Sequence, residues 1–83
     1  MPLYMDVHNL IRAVTPQAME EVHKRDLEVQ GKHGVKYLKY WYNRQDGRMF
    51  CLIDAPSKEA AADVHREAHG LTANEIYEVT EGA

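Results

Sequence analysis

The sequence predicts an α+β fold, a four-stranded antiparallel sheet with two helices on one face. Three observations carry that prediction. Period-two and period-3.6 patterns follow one another in the order strand, helix, strand, strand, helix, strand. Each helical stretch opens on a hydroxyl cap and stops at a glycine, Thr15 to Gly31 and Ser57 to Gly70. The two central strands flank Asp46-Gly47, a strong hairpin signal.

The first strand, "LYMDVH" over 3–8, alternates Leu3, Met5 and Val7 against Tyr4, Asp6 and His8. Hydropathy assigns the first set to the core and turns Asp6 and His8 to the open side of the sheet. After a loop, "TPQAMEEVHKRDLEVQG" begins with Thr15 as N-cap and Pro16 at the first helical position, and its apolar stripe is Ala18, Met19, Val22 and Val29. "VKYLKYWYNR", "QDG" and "RMFCLID" then read as a hairpin of aromatic and branched residues around a turn. In "APSKEAAADVHREAHG", Ser57 caps a second helix whose inward face is Ala60, Ala61, Val64, Ala68 and Leu71. "NEIYEV", 74–79, is the last strand.

Each half is a βαβ-like unit whose crossover helix packs on the sheet, and two of them make a ferredoxin-like βαββαβ sandwich. Both helices cover one face. The other stays open, and Tyr37, Tyr40, Trp41, Tyr42 and Phe50 supply more aromatic surface than one face of so small a sheet needs. A second copy is expected to cover it, giving a homodimer whose two sheets close into an α+β barrel.

At 83 residues the chain is expected to be one domain, 1–83, able to bury only about 60% of its unfolded surface, so that a dimer interface or a bound ion would add needed stability. A formal charge of -3 argues against nucleic acid as a partner, because phosphate-backbone binding needs a basic footprint. No apolar run approaches the roughly 20 residues of a membrane span. A single cysteine, Cys51, and no secretory pattern at the start point to the cytoplasm. Five histidines are the compositional oddity.

Those histidines fall in patterns. His65 and His69 are four apart on the second helix, where Cβ atoms lie about 5–6 Å apart and both imidazoles can reach one ion. An isolated HxxxH is more readily a solvated helix edge than half a metal site, since two ligands make no tight site. His23 and Asp26 share a face of the first helix, and Asp26 falls on the apolar stripe with Val22 and Val29. A carboxylate there must be paired or bound to a cation, whether through Arg66, a histidine or a metal. Carboxylates and histidines at helical spacing on neighbouring helices are how bundle-type metal sites are built. Asp6 and His8 lie two apart on one strand, as cavity ligands or as interface hydrogen-bonding groups. Cys51 reads as a small hydrophobe or, ionised, as a soft-metal ligand. His33, between glycines, is expected to be solvated. No Gly-rich phosphate loop, nucleophile elbow or CxxC pair is present.

With "MDVH", "HKRDL", "YW", "FCL", "AP", "VHREAHG" and "EIYEV" in this order, the chain resembles the small nickel-binding ferredoxin-like family of actinobacteria over about residues 3–79. The resemblance implies a homodimeric barrel that binds nickel(II) and has no established catalytic activity, and the role expected of such a protein is nickel storage, buffering or response. The matching positions are Asp6, His8, His23, Asp26, Trp41, Cys51 and His65, while at His69 some relatives carry their histidine a residue later. The ligand set is expected from chemistry to be His8, His23, Asp26, His65 and His69, with Asp6 and Cys51 secondary and two classes of site on opposite sides of the sheet. Nickel itself comes only from the resemblance, because imidazole and carboxylate also suit copper and zinc.

Two rivals stand beside this reading. A small dimeric barrel enzyme, monooxygenase- or isomerase-like, would act on an organic substrate in a sheet-lined cavity using Asp6, His8, Tyr37 and Trp41. A metal-free interaction domain would explain a dimer but leave Asp26 only a salt bridge.

Overall fold

A computed structural model describes residues 2–9, 15–70 and 72–82. Its elements are β1 (Leu3–His8), α1 (Pro16–Val29), a 3₁₀ turn (Gln30–His33), β2 (Lys36–Asn43), β3 (Arg48–Asp54), α2 (Lys58–Ala68) and β4 (Glu75–Val79). The four strands form one antiparallel sheet in the order β2-β3-β1-β4, the expected ferredoxin-like α+β arrangement. The expected inward position of Leu71 and most of the loop after β1 lie outside the described residues.

The helix starts form where the caps place them. Thr15 Oγ1 accepts the Ala18 N–H at 3.1 Å and Ser57 Oγ accepts the Ala60 N–H at 3.1 Å, each satisfying an otherwise orphaned donor. The stop of the first helix differs from expectation. Gly31 lies inside the 3₁₀ turn, and Gly34, at φ +67°, ends it by donating its N–H to the carbonyls of Gln30 and Gly31. Tightening the last turn satisfies carbonyls that an abrupt end would orphan. Gly70, at φ +78°, does terminate the second helix, with its N–H on the His65 carbonyl at 2.9 Å.

The core lies between sheet and helices. Tyr4, Val35, Tyr37, Met49, Cys51, Ile53 and Ala55 meet Met19, Ala61 and Val64 there, with Ala18, Val22, Val29 and Ala60 half-buried around them. β3 fixes the inward face through Met49, Cys51 and Ile53. Its register with β1 pairs Tyr4 with Ile53, Asp6 with Cys51 and His8 with Met49, so these three β1 residues share the helix-covered face. This reverses the expected orientation of β1. Tyr4, Asp6 and His8 point into the molecule, and Leu3, Met5 and Val7 are half-buried on the open face.

The aromatic residues of the hairpin also divide. Between Tyr37 and Lys39 the β2 register shifts by one residue, so Tyr37, Tyr40 and Tyr42 oppose Ile53, Cys51 and Met49 on the helix side. Trp41 opposes Phe50 on the open side, where Val7, Met5, Leu52 and Tyr77 extend an apolar strip. Trp41 and Tyr77 are about half exposed, at 47% and 51%. No helix among the described residues is long and apolar enough to cross a membrane.

Candidate metal centre

Both faces of one imidazole organise the interior. α2 buries its apolar stripe at Ala61 and Val64, and the next residue, His65, is carried completely into the core beside them. The Tyr37 ring lies against His65 with centroids 4.6 Å apart, and its hydroxyl donates to the Ala61 carbonyl at 2.6 Å. That bond ties β2 to α2 above the histidine. The apolar seat explains why His65 has few positions open to it.

On its sheet side, His65 Nε2 donates to Asp6 Oδ2 at 2.8 Å. The other carboxylate oxygen, Asp6 Oδ1, accepts the Cys51 backbone N–H at 3.1 Å and lies 3.2 Å from His8 Nε2. His8 Nε2 in turn lies 3.3 Å from His65 Nε2. On its helix side, His65 Nδ1 donates to Asp26 Oδ1 at 2.8 Å, and the same oxygen lies 3.0 Å from His69 Nε2. His65 thus stands between two buried carboxylates, one from the sheet and one from the neighbouring helix.

The electrostatics follow from that sandwich. Burial works against a charge on His65, yet hydrogen bonds to Asp26 and Asp6 outweigh it and raise its pKa to about 9. Burial likewise pushes the Asp6 carboxyl upward, but hydrogen bonds from His65 and His8 hold it down at about 2. Asp26 is displaced downward in the same way, burial opposing and the His65 and His69 contacts prevailing. Burial first, and the Asp6 charge after it, push the Cys51 thiol well above its ordinary range. Without a metal, the centre is an imidazolium neutralising one of two carboxylates.

The donors fit a transition-metal ion. Asp6, His8, Cys51 and His65 form one group and Asp26, His65 and His69 another, each with candidate ligand atoms within 4.8 Å of one another. Separations of 2.8–3.3 Å are hydrogen-bond lengths, and they are also the spacing of adjacent ligands on an ion with bonds of about 2.0–2.2 Å. Imidazoles are borderline donors and a thiol is a soft one, and their presence beside the hard carboxylates suits nickel, copper or zinc rather than calcium or magnesium.

The sequence-predicted residues therefore part company. Asp6, His8, Asp26, Cys51, His65 and His69 come together on the helix-covered side of the sheet, not in two sites on opposite sides. The reason is the reversed face of β1. His23 joins neither group: it lies against the Tyr40 ring with centroids 4.7 Å apart, and burial lowers its pKa. Of the partners foreseen for Asp26 the histidines hold it, whereas Arg66 bonds Asp63 on the exposed side of α2. His33 is not simply solvated, since its Nε2 lies 2.8 Å from Glu67 Oε2, a carboxylate that Lys32 also reaches. The enzyme reading loses its constellation, because Asp6, His8 and Tyr37 face the helices and Trp41 alone of that set faces the open side. Sequence reasoning missed the place of Tyr37 at this centre, which depends on a register shift in β2 that no local sequence signal marks.

Comparison with known proteins agrees with this architecture. The crystal structure of SCO4226 from Streptomyces coelicolor A3(2) superimposes with a TM-score of 0.92, is 34% identical, and the match covers 98% of this chain and 99% of that one. No functionally curated protein matches the chain. A family model described as "Nickel responsive protein SCO4226-like" matches residues 4–79, nearly the whole length. The chain accordingly belongs to the SCO4226-like family of nickel-responsive proteins.

Proposed function

We propose that this protein binds nickel(II) at the His65 centre and serves nickel storage, buffering or response in the cytoplasm. The observation that carries the reading is the convergence of three imidazoles, two carboxylates and a thiol on the buried core of so small a chain. Burying ionisable groups is costly, and a purely structural role would be filled as well by apolar side chains of similar volume. Nickel is the metal named in the family description, and the donor set suits its divalent ion.

In this reading His65 is the central ligand, Asp6, His8 and Cys51 lie to one side of it, and Asp26 and His69 lie to the other. Nickel binding displaces a proton from His65, because only a neutral ring nitrogen can ligate. The apolar strip of Trp41, Phe50, Val7, Met5, Leu52 and Tyr77 is the homodimer surface, pairing two copies sheet to sheet. Elemental analysis of protein purified without an affinity tag from nickel-supplemented cells tests the reading. It expects nickel to co-purify in stoichiometric amount, and metal-free protein that takes up no nickel on titration contradicts it.

A further inference from the structure

We infer that two copies meet about a two-fold axis running along the strands, so that the basic edge β2 of each docks beside the acidic edge β4 of the other, with Lys39 and Trp41 set against the partner's Tyr77 and Glu75. The inference rests on the sheet-to-sheet dimer reading and goes beyond it, to which edges meet and what selects them.

The two edges differ in charge. In the order β2-β3-β1-β4 the outer strands each leave one side of the backbone unpaired. β2, KYLKYWYN, carries Lys36 and Lys39 and no acid, whereas β4, EIYEV, carries Glu75 and Glu78 and no base. All four charged side chains are exposed. Across the open face the register lines up Lys39, Leu52, Met5 and Tyr77 in one row and Trp41, Phe50, Val7 and Glu75 in the next. Each row runs from a β2 residue, over two apolar residues, to a β4 residue. The Tyr77 hydroxyl donates to the Glu75 carboxylate, as two same-face residues of one strand can.

Two sheets stacked face to face about a two-fold axis have two arrangements. An axis across the strands lays β2 over β2 and β4 over β4. An axis along the strands lays β2 beside the partner's β4 at both edges and keeps each row level with its counterpart. Backbone direction does not decide between them, because β2 and β4 run in opposite senses and the meeting edges are antiparallel either way. Side chains decide. The first arrangement brings lysines to lysines and glutamates to glutamates, and like charges facing one another select against a partner geometry. The second sets the Lys39 ammonium level with the partner's Tyr77 ring and one row from the partner's Glu75, and the Trp41 indole N–H level with the partner's Glu75 carboxylate. The β2 bulge lies between Tyr37 and Lys39, so the regular part of that edge begins at Lys39, where these contacts fall. Between the edges, Leu52, Met5, Phe50 and Val7 of the two copies bury one another.

Sedimentation equilibrium of the full chain and of K39E, E75K and the double variant K39E/E75K, at low and high sodium chloride, tests this. Lys39 and Glu75 are exposed, so charge reversal there leaves the fold intact. Each single reversal creates like charges at both junctions and should weaken dimerisation at least about 10-fold, whereas the double variant restores opposite charges and should dimerise nearly as well as the wild type. Wild-type association should weaken as salt rises, since opposite charges are screened. Single variants that dimerise as well as the wild type, a double variant as weak as either single, or association that strengthens with salt would each overturn the inference while leaving the dimer intact. A wild type that stays monomeric at every concentration would instead remove the dimer reading on which it rests.

Discussion

His65 Nε2 lies 2.8 Å from Asp6 Oδ2 across 59 residues of chain, a helix histidine meeting a strand carboxylate inside the core. Each of the two is buried and each holds further partners, Asp26 for His65 and the Cys51 N–H for Asp6, so altering either disturbs the whole centre.

Removing the histidine should be severe. H65A leaves Asp6 and Asp26 buried without their common partner, and breaking a buried pair by deleting one member typically costs about 3–5 kcal/mol. Urea unfolding of the metal-free variant should show a loss of that size. A loss below about 1 kcal/mol would mean that the carboxylates find water or other donors.

The pH dependence of metal-free protein follows from the two displaced groups. His65 has its pKa raised from 6.5 to about 9, so its contribution is complete below pH 6.5 and is lost as pH rises through 9. Asp6 has its pKa lowered from 3.8 to about 2, so its contribution is complete above pH 3.8 and is lost as pH falls through 2. Metal-free protein should be most stable between about pH 4 and 6.5 and should weaken by a few kcal/mol toward pH 10, at about 1.4 kcal/mol per pH unit of displacement. Nickel affinity should run the other way and rise with pH up to about 9, as the competing proton leaves His65. Unfolding midpoints and nickel titrations at pH 5, 6.5, 8 and 9.5 check both trends, and parallel rather than opposed slopes would refute the proton competition.

How far the sequence could carry this depends on which signals were local. Caps at Thr15 and Ser57, the Asp46-Gly47 turn and the helix stripes depend on nearest neighbours, and the elements appear within a few residues of where those signals put them. The pairing of Asp26 with histidine was foreseeable because a carboxylate on an apolar stripe demands a partner. The face of β1 was not. Leu3, Met5 and Val7 are the more hydrophobic set, so hydropathy sends them to the core, but the open face of the sheet is itself apolar and the inward polar set is satisfied by His65, far away in sequence. The same long-range dependence hid the divergence of His23, whose spacing from Asp26 is right but whose side chain rests on Tyr40.

Charge variants separate the core pair from the surface pairs. D26N keeps volume but removes the carboxylate that holds His65 and His69, and should weaken nickel binding about 10- to 100-fold. R66A deletes only an exposed pair with Asp63 and should change stability by no more than about 0.5 kcal/mol, with binding unchanged. H23A should move nickel affinity less than any substitution at His8, His65 or His69. Calorimetry on the three variants decides this, and an effect of H23A equal to that of D26N would put His23 back among the ligands.

The open sheet face offers an independent test. Placing a charge in the middle of the apolar strip, as in L52K, should shift the protein from dimer to monomer in analytical ultracentrifugation, because a lysine opposite an apolar surface cannot keep its hydration. A wild type that sediments as a monomer at high concentration would contradict the expected dimer. Nickel stoichiometry should stay the same in the variant, since Leu52 points away from His65.

The central claim is that His65 organises a nickel site, and calorimetric titration of untagged wild type and H65A with nickel chloride at pH 8 tests it most directly. Saturable binding by the wild type, with affinity at least 100-fold lower in a variant that retains its circular dichroism spectrum, is the predicted result. Equal nickel affinity in the two proteins would contradict it.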